Sequence, residues 1–112
     1  MGARLTAGLW VSAYLTRLRL VDIPAFVVFR GDDTAGSVLV KLSTLDGAAK
    51  VFQRSFDPAS GARRWITLEQ GTEPEIDALI ARQRARDPDL WVIELEDRAG
   101  RSLLDDPGLA ES

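Results

Sequence analysis

The run LTAGLWVSAYLTRLRLV, from Leu5 to Val21, carries apolar residues on more sides than a surface helix needs. As a helix it makes about four and a half turns. Leu9, Ala13 and Leu20 fall on one side, Trp10 and Tyr14 on the next, and Val11, Leu15 and Leu18 on a third. Gly8, Ser12, Thr16 and Arg19 leave only a narrow strip for water, and Arg17 stands alone among the apolar residues. A surface helix buries one stripe, so a helix apolar on most sides must be covered twice. The domain's own sheet is one cover. A second subunit docking on Val11, Leu15 and Leu18 is expected as the other, unless the leucines of the C-terminal tail fold over them.

Beyond this helix the chain alternates strand-like and turn-like segments. Pro24 ends the helix, since proline disfavours helical backbone in the residue before it. Ala25 to Arg30 (AFVVFR) is apolar and β-branched, the pattern of a central strand covered on both faces. Gly31 to Gly36 is a turn by composition, and Ser37 to Leu45 (SVLVKLSTL) a second strand with Lys41 its one charged residue. Asp46-Gly47 signals a hairpin through a type I′ turn, and Ala49 to Phe56 returns as a third strand. After the loop Asp57 to Ala62 comes a fourth strand, Arg64 to Glu69, at or near an edge. Thr72, Pro74 and Glu75 make a capping box for a helix running to about Arg86, with Ile76, Leu79 and Ile80 as its single apolar stripe. Asp89 to Asp97 (DLWVIELED) is the last strand, and residues 101–112 are expected to be an irregular tail.

The order α-β-β-β-β-α-β over 1–112 predicts one domain of α+β (or α/β) class. Its sheet should be mostly antiparallel or mixed, the first three strands forming a meander, with two helices packed on it.

Composition narrows the chemistry further. With 112 residues the chain buries roughly 65% of its unfolded surface, enough for a core without covalent staples. It contains no cysteine and no histidine, which removes thiolate sites, the commonest general base and the commonest transition-metal ligand. No cofactor is implied, and any metal would have to be a hard, oxygen-loving ion. The net charge of −3 gives no basic field for nucleic acid. Twelve arginines to two lysines reads as a GC-rich bacterial coding bias. The N-terminal run is too interrupted for a signal peptide or a membrane span, so a cytoplasmic location is expected. Met1 to Thr6 fits the loose myristoylation pattern, which needs a eukaryotic context.

The segments LWVSAYL, RGD followed by AG and VKL, RRW, and DPDLWVIELED together resemble a bacterial family of short proteins known as a domain of unknown function. The resemblance runs from Leu5 to about Leu104. It implies a stand-alone cytosolic domain and brings no activity, ligand or catalytic residue with it.

Three constellations remain. In Arg30-Gly31-Asp32 the aspartate is expected to hold a turn by bonding backbone N–H groups, with a ligand loop beside Arg30 as the alternative. Glu94 and Glu96 share one face of the last strand; they either pair with Arg30, Lys41, Arg54 or Arg64, or hold Mg²⁺ with help from Asp32 or Asp89. Trp10, Tyr14, Trp65 and Trp91 form an aromatic set in which Arg63 and Arg64 flank Trp65, the best candidate for a binding surface. The leading expectation is a non-catalytic interaction module that self-associates through its first helix. The alternative is a small-ligand binder or Mg-dependent enzyme using Arg30, Asp32, Arg64 and Glu94.

Overall fold

The computed structural model of the protein describes residues 5–56, 58–61, 63–106 and 109. Its elements are α1 (Ala7–Leu20), β1 (Ala25–Phe29), β2 (Val38–Ser43), β3 (Ala48–Phe56), β4 (Arg63–Thr72), α2 (Glu73–Arg86) and β5 (Trp91–Glu96). They build an α+β domain around a mixed five-stranded sheet ordered β1-β5-β2-β3-β4. The myristoylation pattern, Asp57 and Ala62 of the third loop, and tail residues 107, 108 and 110–112 lie wholly or partly outside the described residues.

β5 lies parallel to β2 and antiparallel to β1, which separates the first two strands. The meander therefore consists of β2, β3 and β4, not of the first three strands. β1 consequently stands at an edge rather than in the centre. Phe26, Val27, Val28 and Phe29 are each 38 to 46% exposed. An apolar run is equally suited to a central strand and to an unpaired edge, and periodicity alone does not separate them. β4 is the other edge, as expected. It also runs without a break through Gly71 into the N-cap of α2, where Thr72 and Glu75 form the predicted capping box.

Strand alternation sends Val40, Leu42, Trp91, Ile93 and Leu95 towards α1, and Leu39, Val51 and Val92 towards α2. The helices thus cover opposite faces. α1 ends in a Schellman-type cap: Ile23 N–H bonds the Leu18 carbonyl at 3.0 Å, while Asp22 takes the left-handed conformation with φ 60°. The β2–β3 hairpin differs from a type I′ turn. Positive φ falls on Leu45 and Gly47, and Asp46 instead accepts from Ala48 N–H and the Thr44 hydroxyl.

The second cover of α1 comes from within the chain. Leu104 and Leu109 are buried in the same cluster as Trp10, Val11, Tyr14 and Leu18, with Leu15 and Leu103 packed against it. Tyr14 donates its hydroxyl to Ser102 O at 2.8 Å, Trp10 Nε1 donates to Leu109 O at 3.1 Å, and Arg17 meets Asp106 at 2.6 Å. Val11 and Leu18 are 3% and 0% exposed, so the expected docking face of Val11, Leu15 and Leu18 is a packed interior.

Candidate functional site

The residues singled out in the sequence come to four separate places. Arg30 and Asp32 lie in the loop between β1 and β2. There Asp32 Oδ2 accepts from Thr34 N–H and Ala35 N–H, as a turn-forming aspartate should, and Asp32 O accepts from Trp91 Nε1 at 2.7 Å. The loop closes onto its neighbours at glycines: a Cβ at Gly36 would meet Asp89 O at 2.5 Å, and one at Gly31 would strike the same carbonyl. Its far side caps α1, with Ala7 N–H bonding Thr34 O and Gly8 N–H bonding Asp33 O. Arg30 lies over the Trp91 ring at 5.1 Å. This constellation organises backbone, and its carboxylate is already engaged.

Glu94 lies on the other face. Lys41, the charged exception in β2, is buried there with its Nζ 2.7 Å from Asp77, 3.0 Å from Glu73 and 3.5 Å from Glu94. Among the partners considered from sequence, Lys41 is the one the fold supplies. Burial pulls the Lys41 ammonium towards neutrality, but the hydrogen bonds it donates to Asp77 and Glu73 and the charge of Glu94 outweigh it, raising its pKa above the ordinary lysine value. Burial raises the Glu94 carboxyl above its usual range, against the opposing pull of Lys41. A lysine held charged in this way is a structural cation, not a nucleophile. Glu73 and Asp77 were missed as its partners, although their spacing of one helical turn places both on one face of α2. Among the described residues no group of three or more acidic side chains is arranged to hold a metal ion.

The third place is a cleft of about 660 Å³ where α1 begins, β2 starts and the β3–β4 hairpin closes. Trp10 stacks on Tyr14 at 4.9 Å and on Trp65 at 5.1 Å. The Arg54 guanidinium lies over both indoles, 5.3 Å from Trp10 and 5.0 Å from Trp65. Arg63, Ser37 and Gln53 complete the wall. Trp65 Nε1 is buried with no hydrogen-bond partner among the described residues, unlike the indole nitrogens of Trp10 and Trp91. The aromatic set was legible in the sequence, except that Trp91 belongs to the loop instead. Arg54 as the cation over the indoles was not foreseen, because it depends on cross-strand pairing with Trp65. Arg64, next in sequence to Trp65, is exposed on the opposite side of β4 and stands alone as the fourth place.

A family model described as "Protein of unknown function (DUF1491)" matches residues 5–105. A crystal structure of a DUF1491 family protein from Caulobacter crescentus CB15 is 39% identical, with a TM-score of 0.84 over 93% of this chain and 98% of that one. An NMR structure of a DUF1491 family protein from the same organism gives 39% identity and a TM-score of 0.81, covering 95% and 97%. A solution structure of a protein from A. tumefaciens is 30% identical, with a TM-score of 0.76 over 91% and 93%. Among curated proteins nothing matches.

Proposed function

The chain belongs to the DUF1491 family, and from the geometry of this member we propose that it is a small, non-catalytic binding module of the bacterial cytosol whose working surface is the Trp10–Arg54–Trp65 cleft. The observation that carries this reading is the convergence of two stacked indoles, a guanidinium over both and a second arginine, Arg63, on one cavity of about 660 Å³. Such cavities take small molecules when apolar walls meet a few polar groups that fix orientation. Here Arg54 and Arg63 outnumber the single carboxylate among the described residues of the lining, Asp87, which suits a ligand with a flat ring and a carboxylate or phosphate.

Catalysis has little support beside this. Arg30, Asp32, Arg64 and Glu94 do not share a cavity, Asp32 is engaged by backbone, and Glu94 faces Lys41. No helix among the described residues is long and apolar enough to cross a membrane.

A panel of aromatic carboxylates and mononucleotides, read by thermal shift and by tryptophan emission, tests the proposal. A binder should raise the melting temperature and shift the emission together. Arg63→Ala should weaken that binder about tenfold, equivalent to about 1.4 kcal/mol. Silence across the panel, or binding untouched by Arg63→Ala, would remove the cleft from consideration.

A further inference from the structure

A second cavity, of about 400 Å³, opens on the α2 face between α2 and β1, and it shares no residue with the Trp10–Trp65 cleft. A break in strand alternation builds it. Phe26 pairs with Glu94 and Val27 with Ile93, but Phe29, not Val28, pairs with Val92. In an unbroken strand Phe29 would lie on the α1 face with Val27. The bulge at Val28 turns it to the α2 face, beside Val92, so that Val28 and Phe29 both line the cavity. Opposite them α2 presents Ile80, Ala81 and Ala85, and the two alanines leave open the space that longer side chains would fill.

The two ends of the cavity differ in charge. One end holds Lys41 with Asp77 and Glu94, a cluster already closed on itself. Arg84 marks the other, seven residues beyond Asp77, which is about two turns and about 10 Å along the helix. Its guanidinium rests on the Phe29 ring at 4.6 Å, and its Nε is buried without an acceptor among the described residues. No carboxylate of the described residues lies within ion-pairing distance of it. Stacking occupies the face of a guanidinium and leaves the N–H groups at its rim for an anion.

We propose that this cavity binds a small apolar molecule ending in a single carboxylate, with the carboxylate on Arg84 and the apolar body against Val28, Phe29, Ile80 and Val92. Apolar walls with one placed charge are the usual build of a small-molecule site, and this volume lies within their range. A neutral ligand would cover Arg84 without supplying the acceptor it lacks, and a buried donor left unmet opposes binding. A phosphate monoester would bring about two negative charges towards an end where three carboxylates surround one ammonium. One negative charge, held two turns away from that cluster, satisfies Arg84 at the least repulsion.

Octanoate and hydrocinnamate, an aliphatic and an aromatic probe, titrated onto the isotope-labelled full chain test the site by amide chemical shifts. At least one should bind, with shifts centred on Val28, Phe29, Ala81 and Arg84 and the Trp65 indole unmoved. The alcohol and the amine of the same skeleton should bind at least tenfold more weakly. Arg84→Gln should weaken the carboxylate at least tenfold. Ala81→Leu fills the cavity from an exposed helix position and should abolish binding while Arg84 is retained. Both variants should keep the dispersed spectrum of a folded domain. Arg63→Ala, in the other cleft, should leave this binding unchanged, so the two sites stand or fall separately. Silence of both probes, an alcohol bound as tightly as its acid, or shifts centred on Trp65 would overturn the proposal. So would an affinity indifferent to Arg84→Gln.

Discussion

On the α1 face a helix and the C-terminal tail close over the sheet with aromatic rings and leucines; the buried polar contacts there are neutral, an indole N–H and a phenol each donating to a tail carbonyl, and the Arg17–Asp106 ion pair is solvent-exposed and of little weight. On the α2 face the helix meets the sheet through an apolar stripe at Ile76 and Ile80, and beyond it one buried ammonium faces three carboxylates. The first face draws on area and neutral hydrogen bonds, which change little between pH 4 and pH 9. The second depends on protonation, because its stability rests on which of four groups carry charge. The two faces of one sheet should therefore fail under different conditions.

The largest effect is expected from the tail. A chain ending at Gly100 loses Leu104 and Leu109, 3% and 1% exposed, together with the acceptors of Trp10 and Tyr14. Leucine truncations in packed cores cost about 2–5 kcal/mol each, and two of them approach the whole stability of a domain this size. The shortened protein should lose its near-UV circular dichroism and bind a hydrophobic dye at room temperature. Leu104→Ala alone should keep the fold and lower the urea midpoint by an amount worth about 3 kcal/mol. Truncation with no loss of tertiary signal would mean that the tail merely rests on α1.

The next effect belongs to the other face. Lys41→Ala leaves Glu94 half-buried beside Asp77 and Glu73 without their cation, and should cost about 3 kcal/mol at neutral pH. Lys41→Met, which keeps the packing volume, should cost less. The pH dependence separates this loss from a simple cavity. Burial raises the folded Glu94 pKa above its unfolded value, so the folded state holds the extra proton between the two values. Stability from this group therefore falls as pH rises through that window, and removing Lys41 enlarges the fall. The deficit of Lys41→Met should shrink when unfolding is measured near pH 4.5 instead of pH 7. Lys41 itself, raised by its partners, contributes fully below the ordinary lysine value and loses its contribution above it. An equal deficit at both pH values would reduce the cluster to packing alone.

The contrast between the faces also marks what the sequence could disclose. The excess apolar surface of α1 is a property of its residues, and the need for two covers follows from periodicity alone. Whether a tail or a second subunit supplies the cover depends on a Tyr14–Ser102 contact spanning most of the chain, which no local pattern encodes. The capping box of α2 was legible for the converse reason: Thr72 and Glu75 satisfy one another within a single turn. β1 was misplaced because insertion of β5 between β1 and β2 is a long-range event. In the candidate cleft, the tryptophans were visible as residue types, but the partner of each was set by strand register. Arg54 reaches Trp65 because the two residues pair across β3 and β4. Glu94 likewise meets Lys41 because they are register partners in the parallel pair of β2 and β5.

The smallest of these effects gives the sharpest test of the contrast. Tyr14→Phe removes one neutral hydrogen bond, donated to Ser102 O at 2.8 Å, while leaving the ring stack with Trp10 in place. The cost should be about 1 kcal/mol, most of it from the carbonyl left without its donor. Between pH 4 and pH 9 that deficit should be flat, since the hydroxyl is neutral in both the folded and unfolded chain. Above the ordinary tyrosine value of about 10 the two states part. Burial keeps the folded Tyr14 protonated while the unfolded chain ionises, so the wild-type protein loses stability as pH rises and the phenylalanine variant is spared that loss. The gap between the two proteins should therefore narrow at high alkalinity, measured by urea titration at pH 7 and pH 10.5. A Tyr14→Phe deficit that already changed on the acid side of neutrality, where a carboxyl such as Glu94 takes up a proton and Tyr14 does not, would mean that the two faces are coupled through the sheet.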